Sequence, residues 1–380
     1  MEIVLTILWY AAAILYSVAT VRALIYMRWM KRLPKERSTG PLPKVSIVFA
    51  ARDEAERIET TIRRLLAQEG IEFEIIAVDD RSRDETSQSL KRLSAEDSRV
   101  RPKRVDVLPE DWLGKCHACH IGAQSATGEW LLFTDADCWL KADTLARALT
   151  VARSQGVQHV TMTPGVAAKT VAAEAWHLCF LLTVTDYMAR TNSDHPRGYL
   201  GVGAFNLVER RIYEEFGGHE TLRLTVVDDV KLGKLVRKTG GRTRAFIGGD
   251  DVECHWGETV RQMIRIMEKN YFAAIDYRTA LAIFAGPFLV LLWGLSLAGL
   301  FSGTVIGTTA GVGLFSMVVP NIMIARRLDW KIRGAFLTPF VFVALNYAIL
   351  RSTVVTLRQG GVKWRDTFYP LEKLRAGNMY

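Results

Sequence analysis

Apolar residues follow two regimes along this chain of 380 residues. Over residues 3–21 nearly every position is apolar, and three further runs cover residues 280–301, 303–325 and 335–350. The first run is long enough to cross a hydrocarbon core of roughly 30 Å as a helix. The second and third read as a helical hairpin. Between the first run and about Arg278 the apolar stretches are short. Residues 45–50 and 73–78 predict strands, and Ile58, Ile62, Leu65 and Leu66 repeat between them at helical spacing. Strand, helix, strand is a parallel unit with a right-handed crossover. Asp84 can cap a helix running to Leu93, and residues 104–108, 130–133, 159–163, 203–208 and 242–247 predict further strands. This alternation predicts an α/β domain with a doubly wound, mostly parallel sheet.

Charge orients the apolar runs. Glu2 precedes the first, and Arg22, Arg28, Lys31, Arg32, Lys35 and Arg37 follow it. The positive-inside rule then places the N-terminus outside and everything after Arg28 in the cytosol. A cleaved signal peptide carries its positive charge before the apolar run, so an uncleaved anchor is expected. Arg326, Arg327, Lys331 and Arg333 behind the hairpin also belong inside. The last run creates a conflict. If residues 335–350 cross, Arg351, Arg358, Lys363, Arg365, Lys373 and Arg375 end up outside, against the rule. A re-entrant or interfacial segment removes the conflict, and the sequence alone leaves both routes open.

Composition narrows the class. Apolar residues make up 49 % and charged residues 23 %, and the mean hydropathy is +0.09. A disordered chain and a polytopic permease are both excluded. The net charge of +9 suits an anionic partner, either a phosphate-bearing substrate or an anionic membrane surface. Five cysteines at irregular spacing form no disulfide framework, so a reducing compartment is expected.

Open α/β sheets bind ligands at the carboxyl ends of their strands. Acids fall there: Asp53 follows the first strand, Asp79 and Asp80 end the second, and Asp135 and Asp137 follow Trp-Leu-Leu-Phe. Acids gathered at three strand ends need a cation or hydrogen-bond donors, because like charges held close raise each other's pKa. An extended Asp135-Ala136-Asp137 would put two carboxylates on one side of the chain. Their oxygens suit Mg²⁺ or Mn²⁺. Taken alone, such a triplet equally suits a pair of solvated turn acids.

Several stretches in one order change that reading: VSIVFAARDEAERI from Val45, EIIAVDDRSRDET from Glu74, WLGKCHACHIGAQSATGEWLLFTDAD from Trp112, GAFNLVERRIYEEFGG from Gly203 and VVDDVKLGKLVRKTGG from Val227. Together, over about residues 45–270, they resemble family 2 glycosyltransferases, inverting enzymes of GT-A fold that use nucleotide sugars. The WxGKxxAC stretch and the flanking apolar runs look most like the membrane-bound branch that glycosylates lipids such as carotenoids, hopanoids or ceramides. The resemblance implies that Ala51, Asp53 and Asp80 contact nucleobase and ribose, and that Lys115 approaches the nucleotide sugar. It implies Asp135 at the ribose or sugar, Asp137 on the metal that bridges the diphosphate, and Asp229 as catalytic base with Asp228 beside it. A carboxylate must take the proton of an acceptor hydroxyl. A carboxylate acceptor would need no base, and Asp229 would then only position it.

Residues 257–270 (GETVRQMIRIMEKN) add an amphipathic helix. Val260, Met263, Ile264 and Met267 form one stripe, and Arg261, Arg265 and Lys269 another. It can lie in the membrane interface or pack on the soluble core. Residues 262–266 also resemble the family's Gln-x-x-Arg-Trp motif, with Ile266 in place of Trp, which implies that Arg265 meets the diphosphate. The missing Trp argues against a processive polysaccharide synthase. Residues 171–188 are apolar but carry Glu174, His177 and Asp186, so they predict a membrane-facing or core helix rather than a span.

Other signals compete. Cys116-His117-Ala118-Cys119-His120 matches a c-type haem attachment pattern, and the two thiols with a histidine could hold zinc. Two small buried cysteines on a helix are the plainer reading. Gly201-Val202-Gly203 lacks the third glycine of a dinucleotide fingerprint. His219 and His255 fit structural roles, and His255 also fits an approach to the metal or diphosphate. Trp112 and Trp256 could stack on a sugar or base or pack in a core.

The expected organisation is an anchor over 1–27, a basic linker over 28–43, and a GT-A catalytic domain over 44–256. An interfacial helix over 257–278, membrane segments over 279–357 and a basic tail over 358–380 follow. The expected activity is metal-dependent, inverting transfer of a sugar, glucose from a UDP-sugar, to a membrane lipid. The expected place is the inner cell membrane, multi-pass, with the catalytic domain cytoplasmic and no nucleic-acid partner. The alternatives are a polyprenyl-phosphate glycosyltransferase and a haem-bearing membrane electron carrier.

Overall fold

The structure, a computed structural model, describes residues 2–38, 40–166, 168–255 and 257–377. They divide into two compact units. One comprises Met1–Trp29, Ala168–Ala189 and Gly257–Arg375, and the other Met30–Ala167, Arg190–Trp256 and Ala376–Tyr380.

The second unit is built on eight strands: β1 (Val45–Ala51), β2 (Phe73–Asp80), β3 (Lys103–Val105), β4 (Trp130–Phe133), β5 (Cys138–Leu140), β6 (His159–Val166), β7 (Asn206–Glu209) and β8 (Thr243–Cys254). They form one mixed sheet in the order β3-β2-β1-β4-β7-β6-β8-β5. The expected parallel core is present: β1 pairs in parallel with β2 and β4, β2 with β3, and β6 with β8. Two strands reverse. β7 is antiparallel to β4 and β6, and β5 is antiparallel to β8. Reversal of β7 brings its start to the carboxyl end of β4, with Phe133 opposite Asn206. Successive residues of β1 feed opposite cores. Ile47 and Phe49 pack with Ile75, Leu132 and Leu149, while Val48 packs with Ile76, Phe133 and Val236. Helices therefore cover both faces, as short all-apolar strands require.

The first unit is helical. Glu2–Trp29, Leu281–Gly299, Val305–Arg327 and Arg333–Gln359 are long and apolar enough to cross a membrane. Trp9, Ala13, Tyr16, Leu292, Ala310 and Leu314 form the buried centre of the first three, while Ile3, Ile7, Ile14, Phe284 and Leu291 remain exposed. Helix Val171–Asn192 follows the expected 171–188 helix. Helix Val260–Ala274 realises the amphipathic segment. Gln262 and Thr259 form a reciprocal capping box, with Thr259 N–H donating to Gln262 Oε1 at 3.1 Å. The Gln-x-x-Arg likeness thus coincides with a helix cap. This helix packs on Arg333–Gln359, with Phe272 N–H donating to Ser352 Oγ at 3.0 Å.

Candidate active site

Three parallel strands, β2, β1 and β4, end on one edge, and the sequence places an acid at or just beyond each end. Ala51, in register with Asp79, ends β1 with its side chain fully buried, so it offers backbone there. Asp53 follows in a left-handed turn at φ 54° and is exposed. Its Oδ1 accepts from Arg83 N–H at 2.8 Å, and its own N–H donates to Ser82 Oγ at 3.0 Å. The β1 and β2 ends are thereby laced together. Asp79 points inward and is structural: it accepts from Ser82 N–H at 3.0 Å and pairs with Arg104 at 2.5 Å. Asp80 is held by Arg81 at 2.7 Å, with Arg52 at 3.9 Å. A side chain on Gly114 would collide with the Asp80 carboxylate, so the glycine opens the start of helix Gly114–Ser125.

β4 stops at Phe133, and the acids beyond it do not lie on an extended chain. Residues 135–138 make a turn closed by Cys138 N–H donating to Asp135 O at 3.2 Å, and Thr61 Oγ1 donates to Ala136 O at 2.5 Å. The turn still gathers the ligands. Potential donor atoms of Asp135, Asp137 and Cys138 lie within 4.8 Å of one another. Burial, Asp135 and Glu54 push the Asp137 carboxyl up to about 6. Carboxylate oxygens converging beside the raised Asp137 carboxyl fit a divalent cation. Cys138 is the member the sequence reading did not include.

On the other side stand Lys115, in the first turn of helix Gly114–Ser125, and Asp228 and Asp229, in the first turn of helix Asp228–Lys238. Lys115 Nζ is 2.8 Å from Asp135 Oδ1 and 3.8 Å from Asp228 Oδ1. Burial opposes its charge, but Asp135, Asp228 and Asp229 outweigh that and hold it well above the usual lysine value. Burial and Asp228 push the Asp229 carboxyl up to about 6, with Lys115 opposing. Asp229 Oδ2 accepts from Gly203 N–H at 2.7 Å. A Cβ on Gly203 would lie 2.8 Å from Asp135 Oδ2, 3.3 Å from Asp229 Oδ2 and 3.4 Å from Lys115 Nζ. Gly203 is therefore the hub of the site, delivered there by the reversal of β7. The Gly-x-Gly pattern set aside as no dinucleotide fingerprint was its sequence signal.

Behind Asp228 runs a buried chain. His219 N–H donates to the Tyr213 hydroxyl at 3.0 Å, so the Tyr213 proton is free to meet His219 Nδ1 at 2.9 Å. That leaves Nε2 carrying the imidazole proton, 3.7 Å from Asp228 Oδ2. Burial lowers the pKa of His219, which keeps it neutral.

His255 N–H donates to Asp137 O at 3.1 Å while its ring stacks on Trp139 at 3.6 Å between centroids. Trp112 packs against His117 and His120. Cys116 and Cys119 are buried, and burial pushes the Cys119 thiol far up. Both fit the plainer reading of small buried cysteines on a helix. Arg265 is exposed on helix Val260–Ala274, in the helical unit. Trp256 lies outside the described residues.

Residues 46–217 match the model of a family described as glycosyl transferase family 2. A 4,4'-diaponeurosporenoate glycosyltransferase of Staphylococcus haemolyticus is 23 % identical over 214 residues, covering 56 % of this chain and 56 % of that protein. The succinoglycan biosynthesis protein ExoO of Rhizobium meliloti is 33 % identical over 117 residues, covering 31 % of this chain and 32 % of that protein. The chain thus spans about half the length of these curated relatives, or less. Among solved structures, the mannosyltransferase PcManGT from Pyrobaculum calidifontis, in complex with GDP-Man and Mn²⁺, matches with a TM-score of 0.56 at 20 % identity. That match covers 91 % of this chain and 99 % of the other and shows a shared GT-A-like fold.

Proposed function

We propose, from the match of residues 46–217 to glycosyl transferase family 2, a membrane-anchored enzyme that transfers one sugar from a nucleotide sugar to a lipid. The observation that carries this is the pairing of two acid sets across Gly203. Asp135 and Asp137 lie on the β4–β5 turn, and Asp229 faces them from a helix N-terminus. The GDP-Man and Mn²⁺ of the structural neighbour support a nucleotide sugar and a divalent cation. The carotenoid-acid glycosyltransferase relative supports a lipid acceptor, and the apolar helices support a membrane. A UDP-sugar carrying glucose is the donor of choice on family resemblance, with the domain in the cytoplasm.

Asp137, with Asp135, would hold Mg²⁺ or Mn²⁺, which supplies positive charge for the departing diphosphate. The chain's own groups do the rest. Asp53, Asp80 and the Ala51 backbone receive nucleobase and ribose. Lys115 keeps its proton and presents a fixed cation beside Asp135. Asp229, poised near neutrality by burial and Asp228, takes the proton of the acceptor hydroxyl, and Gly203 N–H fixes which of its oxygens is engaged. A base opposite the leaving group gives attack from the far face, hence inversion at the anomeric carbon. His219 and Tyr213 hold Asp228 in place.

Calorimetric titration of UDP and GDP into purified protein with Mn²⁺ or EDTA tests the donor half. Binding that needs the cation and disappears in Asp137→Ala is expected. Undiminished binding by Asp137→Ala in Mn²⁺ would remove the metal assignment.

A further inference from the structure

The route of the last apolar helix is decided by what it touches within the helical unit. The other three apolar helices align through explicit contacts. Trp9 Nε1 donates to Leu295 O at 2.9 Å, Gly299 packs on Gly307, Thr20 meets Ser316 at 2.7 Å, and Arg327 reaches Met27 O. Residues 27, 281 and 327 thus lie at one end of the three-helix group, and residues 2, 299 and 305 at the other. The first end is basic, carrying Arg22, Arg28, Arg278, Arg326 and Arg327.

Arg333–Gln359 starts just past Arg327 and returns to the same end. At its start, six residues beyond Arg327, Arg333 pairs with Glu174 at 2.8 Å. At its finish Arg351 pairs with Glu268 at 2.9 Å, and Ser352 Oγ donates to Glu268 O at 2.6 Å. Beyond its Gly360 cap, Arg375 donates to Thr279 Oγ1 at 3.3 Å, immediately before Leu281. Between the ends it lies against residues near the basic end. Asn321 Nδ2 donates to Thr338 Oγ1 at 3.3 Å, and Gly286 faces Asn346. The highest contact is Trp293 Nε1 to Pro339 O at 2.7 Å. Trp293 stands about 18 Å along its helix from Leu281, and its side chain slants back toward that helix's N-terminus. Pro339, inside the helix, is thus its innermost contact point on Leu281–Gly299.

We propose that Arg333–Gln359 enters and leaves the membrane on one face, so that the chain crosses three times and its basic C-terminal segment stays on the cytosolic side. This rests on reading the other three helices as spans. The occupant of its outer side is the cytosolic leaflet, met by exposed Phe336, Phe340 and Tyr347. The same arrangement places Arg351, Arg358, Lys363, Arg365, Lys373 and Arg375 where the positive-inside rule wants them.

Labelling the full chain in spheroplasts with a membrane-impermeant maleimide tests this. The reporters are Phe301→Cys and Glu372→Cys, both at exposed positions, with the unsubstituted chain as background. Labelling of Phe301→Cys in intact spheroplasts, with Glu372→Cys labelled only after permeabilisation, is the expected result. Equal labelling of both in intact spheroplasts would show that the last helix crosses, with the spans intact. Labelling of neither before permeabilisation would overturn the spans and the proposal together. An antibody epitope appended at the C-terminus repeats the second measurement without a substitution.

Discussion

The Lys115 ammonium stands 2.8 Å from the Asp135 carboxylate, and Asp228 lies 3.8 Å away on its other side. One cation thus serves the turn that would hold metal and the helix that starts with Asp228 and Asp229. Lys115→Met would leave Asp228 and Asp229 without the charge that opposes their mutual repulsion. The expected outcome is a rise in the Asp229 pKa. It would be seen as a shift of the acid limb of the pH–rate profile to higher pH, with weaker donor binding. A lower rate with an unmoved limb would show that Lys115 acts on the donor alone.

Asp229→Asn keeps an oxygen for the Gly203 N–H but cannot take a proton. Donor affinity by calorimetry should stay within a factor of about two, while turnover on an alcohol acceptor falls about 10²-fold or more, the scale of a lost general base. Near-wild-type turnover on a carboxylate acceptor by the same variant would mark Asp229 as a positioning group for that substrate.

The pH dependence follows from the same carboxyl. Asp229 is raised to about 6, so below that pH it is protonated and cannot act as base. Turnover on a hydroxyl acceptor should rise with pH through about 6 and level off above it. A profile flat from pH 5 to 8 would contradict the assignment.

Gly203→Ala inserts a methyl 2.8 Å from Asp135 Oδ2, too close for a carbon and a carboxylate oxygen. Activity should drop steeply while the thermal melt moves little, because the obstruction lies in the site and not in the core. Circular dichroism against initial rate separates the two.

Stability is tested elsewhere in the same unit. Arg147 is buried and pairs with Asp251 at 2.7 Å while donating to Leu33 O at 2.7 Å and Pro34 O at 2.8 Å. Arg147→Met strands Asp251, itself buried, and should cost about 3–5 kcal/mol in denaturant unfolding.

The strand-end acids were legible because β1, β2 and β4 are short apolar runs followed by acids, and that pattern survives folding. β5 was not: Cys138-Trp139-Leu140 is too short to show a period and becomes a strand only by pairing with β8. For the same reason Asp135 and Asp137 looked extended, although a turn joins β4 to β5. The antiparallel sense of β7 carries no local signal, and with it went the place of Gly203. Thr259 and Gln262 stand at the spacing of a capping box, a local signal that the structure realises. Hydropathy gave the last helix its length, but its partners, such as Trp293 and Glu268, are distant in sequence and carry no local signal.

The proposed reaction is metal-dependent transfer from a nucleotide sugar to a lipid. Its most direct test is release of nucleoside diphosphate from a panel of nucleotide sugars by detergent-purified protein, with Mn²⁺, Mg²⁺ or EDTA and a membrane lipid extract. Release from one donor, abolished by EDTA, raised by lipid and lost in Asp229→Asn, is the predicted result. Release unaffected by EDTA and by Asp229→Asn would contradict both the metal and the base.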